Sequence, residues 1–390
     1  MKIVHICLAA FYVEGLGYQE NILSQLHAEM GNEVTVLTSD YVFNSKHEVV
    51  KRDKTEYTND FGVHVKVLKK STRYGYYSRY GDFDGVYDAI KTEKPDIIFV
   101  HGGQFVALKD VIKYCKEHRN TLLYIDQHGD YYNTKVNTLK DKIAQYCIYG
   151  HWMRKAIPLT QKFWGVTPWR CQYLKEIYGI PENKIGLLVM GGDARYIHFD
   201  KMSQLRTEIR KQITLNDDDF VVITGGKIDS AKNIHLLMQA ISELNNDSLK
   251  LIVFGEPNDS MKTDINRLSE DKHIRNIGWL DSTKVYDYFL ASDLAVFPGT
   301  HSVLWEQACA CGIPCVFKDW EGMHHVDVGG NCEFLYKEST EEIMEIISQI
   351  FNNKEKYNLM RLAAQKGIKI FSYNEIAKRA IGDSNEYKRN

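Results

Sequence analysis

Phe220-Val221-Val222-Ile223-Thr224-Gly225-Gly226-Lys227-Ile228-Asp229-Ser230-Ala231-Lys232-Asn233 reads as a buried strand that stops at two glycines and turns into a helix. Its unbroken apolar and β-branched run suits a strand covered on both faces, as in a parallel sheet. Gly225 and Gly226 let the backbone come close to a ligand, and Lys227 and Lys232 flank the turn five residues apart. Two ammonium groups at a strand's carboxyl end suit a diphosphate, whose charge they neutralise without a metal. A generic strand-to-helix turn with solvated lysines is the plainer reading of the same residues.

Outward from this stretch the same alternation repeats. Toward the C-terminus the pattern predicts strands at Leu249–Phe254, Ile274–Gly278, Leu294–Phe297 and Pro314–Phe317. Helices at Asn233–Leu244, Lys284–Ala291 and Val303–Cys311 lie among them, and the last ~50 residues read as purely helical. Toward the N-terminus, strands are expected at Lys2–Leu8, Glu33–Leu37, Val63–Leu68, Asp96–His101, Thr121–Asp126 and Phe163–Thr167. Helices fit at Tyr18–Met30, Gly85–Thr92, Phe105–His118 and Pro168–Tyr178. Strands alternating with helices specify an α/β chain built on parallel sheets. The expected arrangement is two Rossmann-like domains facing each other across a cleft, residues 1–190 and 191–370, hinged near residue 190. Residues 371–390 would form a C-terminal helix that crosses back to the first domain.

Composition narrows the function classes. The 390 residues carry 49 Lys+Arg against 51 Asp+Glu, with 44% hydrophobic and 26% charged residues. These are globular averages, far from disordered, collagenous or disulfide-scaffold chains. A net charge of -2 argues against a dedicated nucleic-acid binder. Residues 1–190 hold 25 Lys+Arg and 21 Asp+Glu, so the near-neutral total conceals a basic first half and an acidic second half. No stretch approaches the ~18 apolar residues of a spanning helix. The opening Met1–Ala10 reads as a first buried strand rather than a signal segment. Eight scattered cysteines without a paired CxxC point to reduced structural thiols and a cytoplasmic setting.

Basic residues of the first half cluster beside aromatics: Lys66, Lys69, Lys70, Arg73, Tyr74, Tyr76, Tyr77, Arg79 and Tyr80, then His151-Trp152-Met153-Arg154-Lys155. This is either a solvated face or a patch that touches anionic lipid on the inner face of a membrane.

Three further segments carry chemistry. Gly15-Leu16-Gly17 follows the first strand and opens the first helix, where backbone N–H groups can meet an anion. Glu20 stands where a dinucleotide fingerprint wants its third glycine, and Asp40 lies at the distance of a ribose contact, so a nicotinamide dehydrogenase is one alternative. Pro298-Gly299-Thr300-His301-Ser302 joins a strand to a helix that carries Glu306 about one turn inside. A carboxylate on an otherwise apolar helix needs a partner, and ribose hydroxyls are one. His101 and His128 fall at the carboxyl ends of the fourth and fifth strands, where open sheets bind ligands. Two acidic clusters are expected to do other work: Asp82-Phe83-Asp84 to cap a helix, and Asp217-Asp218-Asp219 to form a turn. No metal site is expected.

These segments together resemble the retaining GT-B glycosyltransferases of family 4, over nearly the whole chain. The resemblance rests on the Gly15–Gly17 loop, the Ile185–Asp193 linker, Gly226-Lys227 with Lys232, Gly278-Trp279-Leu280 and the Glu306 segment. It implies that Lys227, where that family usually has Arg, and Lys232 grip a nucleoside-diphosphate sugar, and that Glu306 holds the ribose. It also implies a histidine near the reacting sugar, which His128 supplies, with His101 beside it. Pro298 stands where the family's first glutamate falls, and His301 and Ser302 occupy the space of that acid. The resemblance therefore predicts a glycosyltransferase with no cofactor beyond its nucleotide-sugar co-substrate. Its acceptor would be a saccharide or a lipid-linked saccharide of surface polysaccharide assembly. A sugar-nucleotide epimerase on the same fold and a non-catalytic sugar-nucleotide-binding partner are the alternatives.

Overall fold

The computed structural model describes residues 1–15, 17–43, 48–71, 80–132, 134 and 138–382. The chain forms two compact units, one of Met1–Val189 with Ile376–Asn390, the other of Met190–Glu375.

The first unit runs β1 (Lys2–Cys7), α1 (Gln19–Glu29), β2 (Glu33–Ser39), β3 (Tyr41–Phe43), β4 (Val49–Lys51), β5 (Glu56–Thr58), β6 (His64–Leu68) and α2 (Val86–Glu93). It continues with β7 (Ile97–His101), α3 (Leu108–Glu117), β8 (Leu122–Gln127), α4 (Leu139–Lys142), a π-helical turn at Ile143–Tyr149, α5 (Gly150–Ala156), β9 (Thr160–Gly165), α6 (Pro168–Tyr178) and β10 (Ile185–Leu187). Eight strands form one sheet in the order β10-β9-β8-β7-β1-β2-β6-β5. Only the β5–β6 pair is antiparallel within it. β1 is the centre: β2 pairs on one side and β7 on the other, with His5 opposite Phe99. Five of its six residues are buried, the continuous apolar run that a doubly covered parallel strand requires.

The second unit runs α7 (Met202–Gln212), β11 (Phe220–Gly225), α8 (Ile234–Leu244), β12 (Leu249–Phe254), α9 (Lys262–Leu268), β13 (Ile274–Gly278), α10 (Val285–Ala291), β14 (Leu294–Phe297), α11 (Leu304–Ala310), β15 (Cys315–Lys318), β16 (Cys332–Leu335), α12 (Thr340–Asn352) and α13 (Lys354–Ile370). Its parallel sheet has the order β13-β12-β11-β14-β15-β16. α14 (Tyr373–Ala380) follows, and its later residues belong to the first unit.

The α/β expectation holds, with local corrections. The strand expected at Phe163–Thr167 starts at Thr160 and stops at Gly165, because Thr167 is spent on capping α6. Its hydroxyl accepts the Arg170 N–H at 3.3 Å, Pro168 opens the helix, and Gly179 closes it at φ 69°. Asp82 caps nothing: it is buried and takes the Lys109 ammonium at 2.8 Å, while Gly85 stands before α2. Asp219 does close a turn, accepting the Asn216 N–H at 2.7 Å. Among the described residues, no helix is long and apolar enough to cross a membrane.

Candidate functional site

In the second unit the chain leaves β11 toward β12 on one side and β14 lies on the other, so the strand order reverses between β11 and β14. Such a switch point opens a crevice at the carboxyl ends of the strands, where ligands of open sheets bind. The two loops that end there are the Gly225–Asn233 turn and the Pro298–Ser302 loop. They are laced together. The Thr300 N–H donates to Ala231 O at 2.9 Å, and Asn233 Nδ2 donates to Pro298 O at 3.3 Å. Lys232 Nζ donates to Thr300 O at 2.7 Å and to His301 O at 3.1 Å. The approach is close enough to demand Gly299, whose added Cβ would lie 2.3 Å from Ala231 O. Gly226 takes φ 105°, a left-handed conformation that other residues resist.

The two lysines end up with different partners. Lys227 points into solvent, 75% exposed, with Asp229 3.5 Å away. Lys232 is half-buried, and burial pulls its ammonium below the usual lysine value, with Asp229 opposing that pull. An ammonium has three N–H groups. Two of those on Lys232 serve carbonyls, which leaves one for a ligand oxygen.

Glu306 is fully buried on α11. His301 Nε2 lies 2.9 Å from its Oε1 and 3.1 Å from its Oε2, and His325 Nε2 lies 2.9 Å from Oε1. Burial alone would raise the Glu306 carboxyl, but His301 and then His325 outweigh it and hold the group at about 2. The carboxylate expected from the resemblance to hold a ribose is thus engaged by two imidazoles, which leaves part of its acceptor capacity. His325 went unnoticed in the sequence because it lies 19 residues from Glu306, with no spacing to mark it. Ser302 serves the loop through its carbonyl, which accepts the Trp305 N–H at 3.0 Å. Trp305 stacks on Phe317 at 4.5 Å and so fixes the start of α11. A cavity of about 430 Å³ lined by Ser292, Asp293 and Pro314 lies at the other end of this sheet, by the amino ends of β14 and β15.

The first unit has its own switch point, between β1 and β7. The Gly15–Gly17 loop follows β1; Gly15 takes φ 79°, and an added Cβ at either glycine would meet nothing within 4 Å. α1 begins with no side chain capping its N–H groups. Leu16, between the glycines, lies outside the described residues. Asp40 accepts the Lys70 N–H at 3.1 Å and lies 3.9 Å from the Lys51 amine, so its carboxylate is engaged within the fold.

β7 and β8 pair with His101 opposite Asp126. His101 Nδ1 lies 2.9 Å and His128 Nε2 3.2 Å from Asp126 Oδ2, and the Gly102 N–H donates to Oδ1 at 2.8 Å. Burial works against ionisation of Asp126, but His128 and His101 override it and hold the carboxyl well below its usual range. His128 keeps 36% of its side chain exposed, and His101 only 4%. Both ring nitrogens of His101 are engaged inside the protein, the second with His5 at 2.9 Å. His101 is therefore a buried support, while His128 is the member of the pair that reaches the surface.

His101, Asp126 and His128 bring three ligand-type atoms within 4.8 Å of one another, as do His301, Glu306 and His325. In both clusters the imidazole nitrogens face the carboxylate at hydrogen-bond or ion-pair distance, and we read them as carboxylate–imidazole clusters.

Residues 206–367 match the family model described as Glycosyl transferases group 1. That segment holds Gly226, Lys227, Lys232, His301, Ser302 and Glu306. A search of curated proteins returned no match. Among solved structures, the whole chain is similar to a glycosyltransferase from Rickettsia africae ESF-5, over 98% of that chain, at 14% identity and a TM-score of 0.69. It is similar at 15% identity and a TM-score of 0.69 to Anabaena Alr3699/HepE in complex with UDP, over 100% of both chains. A putative UDP-N-acetylglucosamine 2-epimerase from Listeria monocytogenes is similar over 100% of this chain and 97% of its own, at 14% identity and a TM-score of 0.62. Such identities speak for the fold alone. Residues 206–367 thus match the model of group 1 glycosyl transferases, in a chain with a two-domain α/β, GT-B-like fold.

Proposed function

We propose that the protein is a retaining, family 4-like glycosyltransferase that moves a sugar from a nucleoside-diphosphate sugar to a saccharide or lipid-linked saccharide. The observation that carries this reading is Lys232, tied to the 298–302 loop at the switch point of the domain that matches the glycosyl transferase model. Its remaining N–H would stabilise the departing diphosphate, an interaction that gains strength as negative charge develops on the leaving group. The UDP in the Anabaena structure supports a uridine donor. The Gly15–Gly17 loop and His128 of the first unit would meet the sugar and acceptor. In the front-face mechanism that retention implies, the leaving phosphate takes the acceptor proton, so no carboxylate need serve as nucleophile.

The reaction would need no metal, since a lysine replaces the cation on the diphosphate. In a thermal-shift panel, uridine diphosphate is expected to raise the melting temperature by several degrees, with and without EDTA. Sugar transfer should likewise survive EDTA. Stabilisation that vanishes in EDTA would reject the metal-free mechanism, and no stabilisation by any nucleoside diphosphate would reject the donor assignment. The Listeria similarity favours one competing reading, an epimerase. Isomerised donor appearing without acceptor would establish it over transfer.

A lipid-linked acceptor places the enzyme at the inner face of the membrane, within the cytoplasm. Leu139, Ile143 and Tyr146 are exposed at 76%, 45% and 41% along the helical stretch 139–156. Lys140, Lys142, Arg154 and Lys155 flank them, and the Lys155 amine sits over the Trp152 ring at 5.2 Å. Apolar tips beside cations suit an anionic bilayer surface. Of the other part of the expected patch, Arg73, Tyr74, Tyr76, Tyr77 and Arg79 lie outside the described residues, Lys66 is paired with Glu93, and Tyr80 is buried. Vesicles with 30% phosphatidylglycerol should sediment the protein, and Leu139→Glu with Ile143→Glu should release it. Equal sedimentation of the double variant would reject this surface.

A further inference from the structure

The cavity of about 430 Å³ at the amino ends of β14 and β15 lies within the second unit. Its strands run parallel to β11, so the cavity sits at the opposite end of the sheet from the Lys232 turn. α7 presents Met202 and Arg206 to it, four residues apart and so on one helix face, with Phe199 just before them. α13 presents Tyr357, Arg361 and Gln365 at the same spacing. Leu290 and Ile313 complete the apolar part of the lining. Phe199 and Met202 each keep 41% of their surface exposed. A single exposed apolar side chain is ordinary, but two that share a concavity with guanidinium groups make the lining of a ligand pocket.

The charges around this cavity do not balance. Asp293 Oδ1 accepts from Arg206 Nη2 at 2.7 Å, and its Oδ2 accepts from Arg210 Nη2 at 2.7 Å and from the Val221 N–H at 2.8 Å. Asp219 is the second carboxylate beside Arg210, which also donates to the Asp219 carbonyl at 2.8 Å. Arg361 is the third guanidinium. Its central carbon lies 5.9 Å from the centre of the Tyr357 ring, and among the described residues its N–H groups meet no acceptor. Burial and then Asp293 raise the Tyr357 phenol, while Arg361, Arg206 and Arg210 oppose that rise, so all three cations stand about one ring. Tyr357 adds no charge, and its hydroxyl donates to Asp293 O at 3.1 Å.

One positive charge is therefore left over, and the N–H groups to use it are in place. A guanidinium has five N–H groups. Arg206 spends one on Asp293 and one on Ala291 O at 3.3 Å, and Arg361 spends none inside the protein. The volume equals that of about fourteen waters, which is room for an organic molecule rather than a bare ion.

We propose that this cavity is a binding site for an amphipathic organic anion. Its phosphate or carboxylate head would lie on Arg361 and Arg206, and its apolar body against Phe199, Met202, Leu290 and Ile313. The guanidinium fork matches either oxyanion with paired N–H groups. The site is separate from the nucleotide-sugar crevice and does not depend on the transfer reaction.

Spectra of the whole protein with ¹³C-methyl methionine read the apolar wall directly, the Met202 signal being assigned through Met202→Leu. The probes are 1-naphthyl phosphate and decanoate for the two kinds of head, and inorganic phosphate for a head without a body. At least one of the two organic anions should move the Met202 signal with a Kd of about 1 mM or below, and about 10-fold or more tighter than inorganic phosphate. Binding of only one of them identifies the head group that the site takes. Arg361→Ala, a change at an exposed position, should weaken that Kd by about 5-fold or more. Saturating uridine diphosphate should leave it unchanged. A Met202 signal unmoved by both organic anions overturns the proposal, and this titration of the wild type decides it whether or not the variant folds. Inorganic phosphate binding as tightly as the organic anions, an Arg361→Ala variant with wild-type affinity, or displacement of the probe by uridine diphosphate would each overturn it too.

Discussion

Lys232→Ala is expected to weaken nucleoside-diphosphate binding by about 10- to 100-fold, whereas Lys227→Ala costs about 3-fold or less. The difference follows from where each amine sits. A charge-assisted hydrogen bond to phosphate contributes about 1.5–3 kcal/mol where water is partly excluded. Lys232 offers such a place, half-buried and anchored on Thr300 O and His301 O. Its removal also unties the 298–302 loop, so the remaining donors lose their alignment. Lys227 is 75% exposed and shares its charge with Asp229 in water, where an ion pair is worth little. The pH dependence has a definite sign. Burial holds the Lys232 ammonium below its usual value, so diphosphate affinity should begin to fall at a lower alkaline pH than for an exposed lysine. Calorimetric titration with uridine diphosphate measures both variants. Equal losses for Lys227→Ala and Lys232→Ala would mean that exposure, not anchoring, sets the contribution, and the site assignment would fail.

The parts legible in the sequence were those whose signal is local. β1, β11 and β12 are buried on both faces, so each appears as a mostly apolar run, interrupted by His5 in β1 and Lys250 in β12, that ends near a glycine or a small loop. α6 was legible between Pro168 and the turn at Gly179, whereas Thr167, expected to end a strand, caps the helix through its own hydroxyl. β3, β4 and β5 have only three residues each and are largely exposed, so no run marks them. Helix α7 carries only two buried residues among eleven, too few to print a stripe.

The site divides along the same line. The Lys232 turn and the Glu306 helix are contiguous segments whose chemistry can be read in place. What surrounds them is set by tertiary contact: His325 meets Glu306 from 19 residues away, and Ala377 meets His27 from 350. A histidine inside an apolar strand, such as His5, shows that a buried partner must exist, but the sequence cannot say which of the other thirteen histidines supplies it. Asp126 lay within the stretch that singled out His128, yet its role depends on β7 and β8 pairing in a register that sets His101 opposite it.

Glu306→Ala is expected to destabilise the second unit by about 4–5 kcal/mol near neutral pH, and Glu306→Gln by about 3 kcal/mol, the charge that it removes. The alanine removes the acceptor that His301 Nε2 and His325 Nε2 share, leaving two buried N–H groups facing a void. Glutamine keeps it, because both imidazoles lie 2.9 Å from Oε1 and only His301 also reaches Oε2. What glutamine loses is the charge, and the pH profile reveals that loss. The folded carboxyl is held at about 2 against a usual 4.5, so its contribution is fully present above pH 4.5 and disappears as the pH falls toward 2. A shift of that size corresponds to about 3 kcal/mol of linkage. Urea unfolding at several pH values should show wild type losing more stability than Glu306→Gln between pH 5 and 3, with the two curves converging at the acid end. Parallel curves would mean that Glu306 is not held ionised by its histidines, and an alanine variant no weaker than the glutamine would mean that the two imidazoles do not depend on it.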